Sequence, residues 1–191
     1  MLVATTSRQA KTQPHRWRQA LTCVALICLG NSPLFSTRAY AQFAVPVDYR
    51  VATADDKFDG VDLYAFAFQL DAGDRWRIDS IEIAAGLMTD GSTQREFLSV
   101  GPIWTARSPT RRWFARFGFS PTLLAGSTIA GRDLGGNFHF TSSLSLGAAF
   151  GQRRAFELAL RAQHTSNGGL ASTNPGIDFF GVNVRYAFDA I

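Results

Sequence analysis

Cysteine is almost missing from this chain. Its two cysteines, Cys23 and Cys28, both fall within the first 41 residues, so the remainder can hold no disulfide framework. Histidine is scarce: beyond that point only His139 and His164 remain. That argues against a zinc site of the His/Cys type, and no motif calls for a cofactor. Long apolar runs are absent as well, because nothing after Ala41 approaches the ~18 apolar residues of a membrane-crossing helix. A helical period is missing too; apolar residues recur at every second position. These absences leave an all-β chain as the class to expect.

The N-terminus lacks acidic residues. Arg8, Lys11, Arg16 and Arg18 precede an apolar run from Ala20 to Gly30, and a polar stretch then ends in Ala39-Tyr40-Ala41. A basic start, a short apolar segment and an Ala-x-Ala site make a secretory signal peptide. We expect residues 1–41 to be removed and residues 42–191 to form one domain. The chain has 19 basic and 15 acidic residues, and five of the basic ones lie in the leader, leaving 14 against 15. The positive balance therefore belongs to the leader and gives no reason to expect a nucleic-acid partner.

Alternation sets out eight strands. They are expected at about 44–53, 61–70, 76–88, 96–106, 112–124, 138–150, 154–166 and 176–188. The sixth is the clearest: Phe138, Phe140, Leu144, Leu146, Ala148 and Phe150 share one face, interrupted by Ser142, while His139, Thr141, Ser143 and Ser145 share the other. Connections read as short after the second, fourth and sixth strands and longer after the first, third, fifth and seventh. An even number of antiparallel strands with alternating loop lengths is the layout of an outer-membrane β-barrel. Closure leaves no sheet edge, and the polar faces are expected to fill a narrow eight-stranded interior that holds side chains but no pore. A secreted barrel with its aromatic face inward, like a lipocalin, is the competing polarity; small residues packed inside and the loop pattern favour the membrane form.

Parity then places the chemistry. On the seventh strand Phe156, Leu158, Leu160 and Ala162 share a face, and Glu157, Arg161 and Gln163 the other. If the charged set faces the interior, His164 and Ser166 continue the lipid-facing row. On the eighth strand Asp178 precedes Phe180, Val182 and Val184 in the apolar row. An ionisable group facing lipid is expensive and is a functional candidate by default. If Ser166 opposes Gly176, then His164 opposes Asp178, at a Cβ separation of about 4.5–5.5 Å. Ser166 as nucleophile, His164 as base and Asp178 as the group that orients the imidazole would make a serine esterase. Asn167 and the amides of Gly168 and Gly169 lie beside the nucleophile as candidate oxyanion donors. Taken singly, each residue also has an ordinary reading, as an interfacial aromatic or as the start and end of a loop.

The run His164-Thr-Ser166-Asn167-x-Gly169-Leu170, followed by Asn174-x-Gly176-Ile177-Asp178, resembles the C-terminal signature of the PagL family of lipid A 3-O-deacylases. The resemblance is specific over this stretch and elsewhere extends to length and strand layout. It implies an eight-stranded outer-membrane barrel that hydrolyses the ester at the 3-position of lipid A and releases a 3-hydroxy fatty acid. It also implies catalytic roles for His164, Ser166 and the acid at position 178, and oxyanion binding by Asn167 and Gly169. Asn174 matches a motif position without an assigned role. One departure is that Asp178 stands where a family member carries Glu, one methylene longer. The resemblance permits a homodimer.

Two other readings remain open at this point. One is a non-enzymatic structural or adhesive barrel; the other is an acyltransferase that passes the chain to another lipid. Arg95 and Arg132 lie in loops on the side where lipid A phosphates would meet them, and are otherwise ordinary loop charges. His139, with the opposite parity to the aromatic row, is expected inside the barrel as a structural residue.

Overall fold

The computed structural model describes residues 46–72 and 78–187. The expected signal peptide, its cleavage after Ala41 and the strand start at Trp76 lie outside the described residues. Among the described residues the strands are β1 (Pro46–Ala54), β2 (Asp62–Asp71), β3 (Ser80–Thr89), β4 (Gln94–Arg107), β5 (Trp113–Leu124), β6 (Thr128–Ile129), β7 (Arg132–Asp133), β8 (Phe138–Phe150), β9 (Phe156–Ser166) and β10 (Ile177–Ala187). Eight of them close into an antiparallel barrel in the order β1-β10-β9-β8-β5-β4-β3-β2. The short β6 and β7 form a separate hairpin within the β5–β8 connection. Pro46 opens β1, a position where a missing backbone N–H breaks no ladder.

Side-chain direction decides the polarity of this barrel. Tyr64 and Phe66 of β2, Phe117 and Phe119 of β5, Leu144 and Leu146 of β8, Leu158 and Leu160 of β9, and Val182 and Val184 of β10 all point outward and are exposed. An apolar surface that runs around the whole sheet is far larger than water tolerates on a monomer, and it matches the lipid-facing band of a membrane barrel. The lipocalin polarity is thereby excluded.

The inward row is charged in the middle of the barrel. Arg50 bonds Glu82 at 2.5 Å and Asp48 at 3.3 Å, while Asn183 bonds Asp48 at 3.1 Å. Glu157 receives Arg107, Arg116 and Arg185 at 2.6, 2.7 and 3.1 Å. Pairing is what permits these charges inside, since an unpaired buried charge costs several kcal/mol. Arg161 stands 3.9 Å from Glu82, so this network explains why Glu157 and Arg161 face in and force His164 and Ser166 to face out.

Two expectations need correction. The interior is not polar throughout: at the end nearest the β9–β10 loop it is filled by Phe58, Val61, Leu63, Met88, Leu124, Ile129, Leu134, Ile177 and Phe179. Phe58, Leu134 and, from β6, Ile129 lie in connections between barrel strands that fold back into the barrel mouth, and the inner row turns apolar there to meet them. The loop lengths also alternate less regularly than expected. Only Asp90–Thr93 joins β3 to β4, where a longer loop is expected. That turn is tight because Asp90 Oδ1 accepts from the backbone N–H groups of Ser92 at 2.8 Å and Thr93 at 2.6 Å, the Asx arrangement that replaces a longer loop.

Candidate active site

β9 and β10 pair with Asp178 opposite His164. The Nδ1 of His164 and Oδ1 of Asp178 lie 2.7 Å apart. Both side chains face outward and are about half exposed, at 48% and 40%. Asp178 is fixed from behind, because its carbonyl accepts the Asp55 amide at 2.9 Å. Gly176 makes room for the ring: it has φ +62, and a Cβ there would lie 2.8 Å from His164 Cε1. With Nδ1 engaged by a carboxylate, Nε2 is the nitrogen left for chemistry.

Ser166 ends β9 on the same face as His164, with Phe140 of β8 as its ladder neighbour. It is half-buried. Among the described residues its hydroxyl has no hydrogen bond. The fold therefore joins His164 to Asp178 directly and sets Ser166 two positions further along the same outward row.

Asn167 departs from the expectation. The parity that turns Ser166 outward turns Asn167 inward, and it is fully buried. Its Nδ2 donates to the carbonyls of Thr173 at 2.7 Å, Gly135 at 3.1 Å and Leu134 at 3.3 Å. Its Oδ1 accepts the Gly169 amide at 2.9 Å. The Asn167 side chain and the Gly169 N–H are thus spent on holding the loop, and neither is presented as an oxyanion donor. Asn174 accepts the Asn167 amide through Oδ1 at 3.1 Å. This anchors one end of its amide group and leaves Nδ2 without a partner among the described residues. The Gly168 N–H is likewise unpaired among them, at φ +65.

This loop is welded to the β5–β8 connection. Gly135, at φ +80, lies so close that a Cβ would run into the Thr173 carbonyl and Asn167 Nδ2. The Leu134 carbonyl that meets Asn167 also receives His139 Nε2 at 3.1 Å. His139 is buried inside the barrel as its parity requires. Arg95 donates to the carbonyls of Thr128 and Gln94 at 2.7 and 2.8 Å, and Arg132 lies over the Phe58 ring at 5.6 Å. Both arginines are tied into loop structure.

A groove of about 220 Å³ adjoins the histidine on the outer face, lined by Phe117, Ser142, Leu144, Ala162, His164, Asp178 and Phe180 among others. No single motif in the sequence announces it. Its signal was present, though: Ala162 is the small residue and Ser142 the polar one in otherwise large apolar outward rows.

The family model described as lipid A 3-O-deacylase (PagL) matches residues 45–187. A curated relative, lipid A deacylase PagL of Bordetella bronchiseptica, is 31% identical over 97 residues. The aligned part is 47% of this chain and 53% of that protein, so the chain spans about half the length of the curated relative it matches. The crystal structure of the outer membrane enzyme PagL shares the fold, with TM-score 0.59 and 18% identity over 75% of this chain and 99% of that one. Neisserial surface protein A shares it at TM-score 0.50 and 10% identity, over 75% and 96%. At these identities the solved structures speak for the barrel alone.

Proposed function

The chain belongs to the lipid A 3-O-deacylase (PagL) family, and on that premise we propose that it is an outer-membrane serine esterase acting on lipid A. The observation that carries this reading is the His164–Asp178 pair, 2.7 Å apart and facing lipid, with Ser166 on the same outward row.

The residues divide the reaction as follows. Ser166 Oγ attacks the carbonyl carbon of the 3-O-linked acyl chain, and its proton passes to His164 Nε2. Asp178 holds the other nitrogen and balances the imidazolium that forms. Asn174 Nδ2 and the Gly168 N–H face the oxyanion. The proton then goes to the 3-oxygen of the sugar, which leaves. Water deacylates Ser166 by the same base, and a 3-hydroxy fatty acid is released. The Ser166–His164 hydrogen bond, not formed here, closes when substrate is bound, as catalytic hydrogen bonds commonly do.

A site on the lipid face has a physical logic. The acyl chain of a membrane lipid can enter the groove beside Leu144, Ala162 and Phe180 without leaving hydrocarbon. A non-enzymatic barrel has no use for a hydrogen-bonded histidine–aspartate couple on its lipid face.

The test is expression in an outer membrane followed by mass spectrometry of lipid A. Wild type should remove one acyl chain, while Ser166→Ala and His164→Ala should remove none. Unchanged lipid A in every strain would sink the esterase reading. A newly acylated second lipid in place of free fatty acid would show an acyltransferase.

A further inference from the structure

Ser142 breaks the outward row of β8. Phe138, Phe140, Leu144 and Leu146 on either side of it are large and apolar. In the ladders Ser142 opposes His164 on β9 and Phe119 on β5. His164 thus stands between two polar neighbours, Asp178 on one flank and Ser142 on the other. Ser142 is half-buried, lines the groove with His164 and Asp178, and has no side-chain hydrogen bond among the described residues. A hydroxyl facing hydrocarbon without a partner is a net cost. A ligand hydroxyl would remove that cost.

Spacing says which hydroxyl. Ser142 lies two residues from Phe140, the ladder partner of Ser166, so it is the diagonal neighbour of the nucleophile, at roughly 7–8 Å and somewhat less between Cβ atoms. An acyl carbon on Ser166 Oγ and a hydroxyl two carbons further along the chain, joined to Ser142 Oγ by a hydrogen bond of about 2.8 Å, span that distance. A hydroxyl much further along the chain would overshoot it. We propose that Ser142 is a specificity-determining residue that hydrogen-bonds the 3-hydroxyl of the acyl chain and selects 3-hydroxyacyl over plain acyl esters. This rests on the esterase reading above and adds a recognition contact to it.

The experiment uses the full-length protein, purified in detergent, with two lipid A preparations whose 3-linked chains have equal length and differ only in the 3-hydroxyl. Wild type should favour the hydroxylated chain in kcat/KM by about tenfold, the worth of a single neutral hydrogen bond in a site with no water to replace it. Ser142→Ala should bring that ratio close to one, and Ser142→Thr should restore it. If the alanine variant fails to fold, as judged by heat-modifiable electrophoretic mobility, Ser142→Cys gives the same readout. An unchanged ratio in Ser142→Ala, or equal losses on both chains, overturns the inference while leaving the esterase intact. A wild-type protein that releases neither chain overturns both.

Discussion

Asp178 Oδ1 reaches His164 Nδ1 at 2.7 Å, although its side chain is a methylene shorter than the glutamate of a family member. Direct opposition on adjacent strands supplies the reach that the side chain lacks. Removing the charge while keeping the shape should therefore be costly. Asp178→Asn is expected to lower turnover by about 10³–10⁴-fold, the scale seen when a base loses its orienting carboxylate. Asp178→Glu should stay within about tenfold of wild type, since the loss of a charge-assisted bond is avoided. Steady-state release of fatty acid from lipid A measures both, and wild-type turnover in Asp178→Asn would remove Asp178 from the mechanism.

Asn174 gives a cleaner separation of positioning from catalysis. Asn174→Asp keeps the oxygen that accepts the Asn167 amide at 3.1 Å and loses the Nδ2 donor. The loop should hold and kcat should fall about 10²–10³-fold, the usual cost of one oxyanion donor. A raised KM with kcat unchanged would place Asn174 in substrate binding alone.

Asn167 should behave as a structural anchor. Asn167→Ala leaves the carbonyls of Leu134, Gly135 and Thr173 without this donor, at a cost of about 1–3 kcal/mol. The expected result is a lowered unfolding midpoint in detergent together with reduced turnover. Full stability with reduced turnover would instead return Asn167 to the oxyanion site.

Gly176→Ala should disable the site without disturbing the barrel. The residue is at φ +62 and its new Cβ would press on His164 Cε1 from 2.8 Å. Turnover should fall by at least tenfold, which corresponds to about 1.4 kcal/mol, while heat-modifiable mobility stays as in wild type. Unimpaired hydrolysis would show that the ring has room to shift.

The β3–β4 turn carries a pH dependence of its own. Backbone hydrogen bonds from Thr93 and Ser92, the Ser92 hydroxyl and the Ala130 amide hold the Asp90 carboxyl well below the usual carboxylate range. A carboxyl with a lowered folded-state pKa contributes its full stabilisation above the unfolded value and loses it only as pH falls through the folded one. Amide exchange at Ser92, Thr93 and Ala130 should therefore stay slow through the ordinary range of Asp titration and quicken only in stronger acid. Asp90→Asn should exchange faster at neutral pH as well. Protection lost already in the ordinary range would contradict this.

Strand parity made much of this molecule legible. The eight barrel strands, the outward row of β9 and the opposition of His164 and Asp178 all follow from the two-residue period, since one charged inward set fixes every neighbour. The same rule would have turned Asn167 inward, but proximity to Ser166 suggested a donor instead. The apolar filling of the barrel mouth is not readable, because Phe58, Ile129 and Leu134 sit in the connections between barrel strands, whose regular segments are too short for a period to operate. The small Ala162 and polar Ser142 are visible in the sequence, but the groove itself depends on how β8 and β9 pair, with Ser142 opposite His164 and Leu144 opposite Ala162, a matter of register rather than of spacing along the chain. Among the loops, Asp90-Gly91-Ser92-Thr93 carries its turn chemistry in the sequence itself, although the alternation of loop lengths points to a longer connection there.

The central claim is that Ser166 is an esterase nucleophile on the lipid-facing side of the barrel. Its most direct test is the rate at which purified Ser166→Ala releases fatty acid from lipid A, with the barrel shown intact by heat-modifiable mobility. A drop of at least about 10³-fold against wild type is predicted, as for removal of a serine nucleophile elsewhere. Release at the wild-type rate would contradict it.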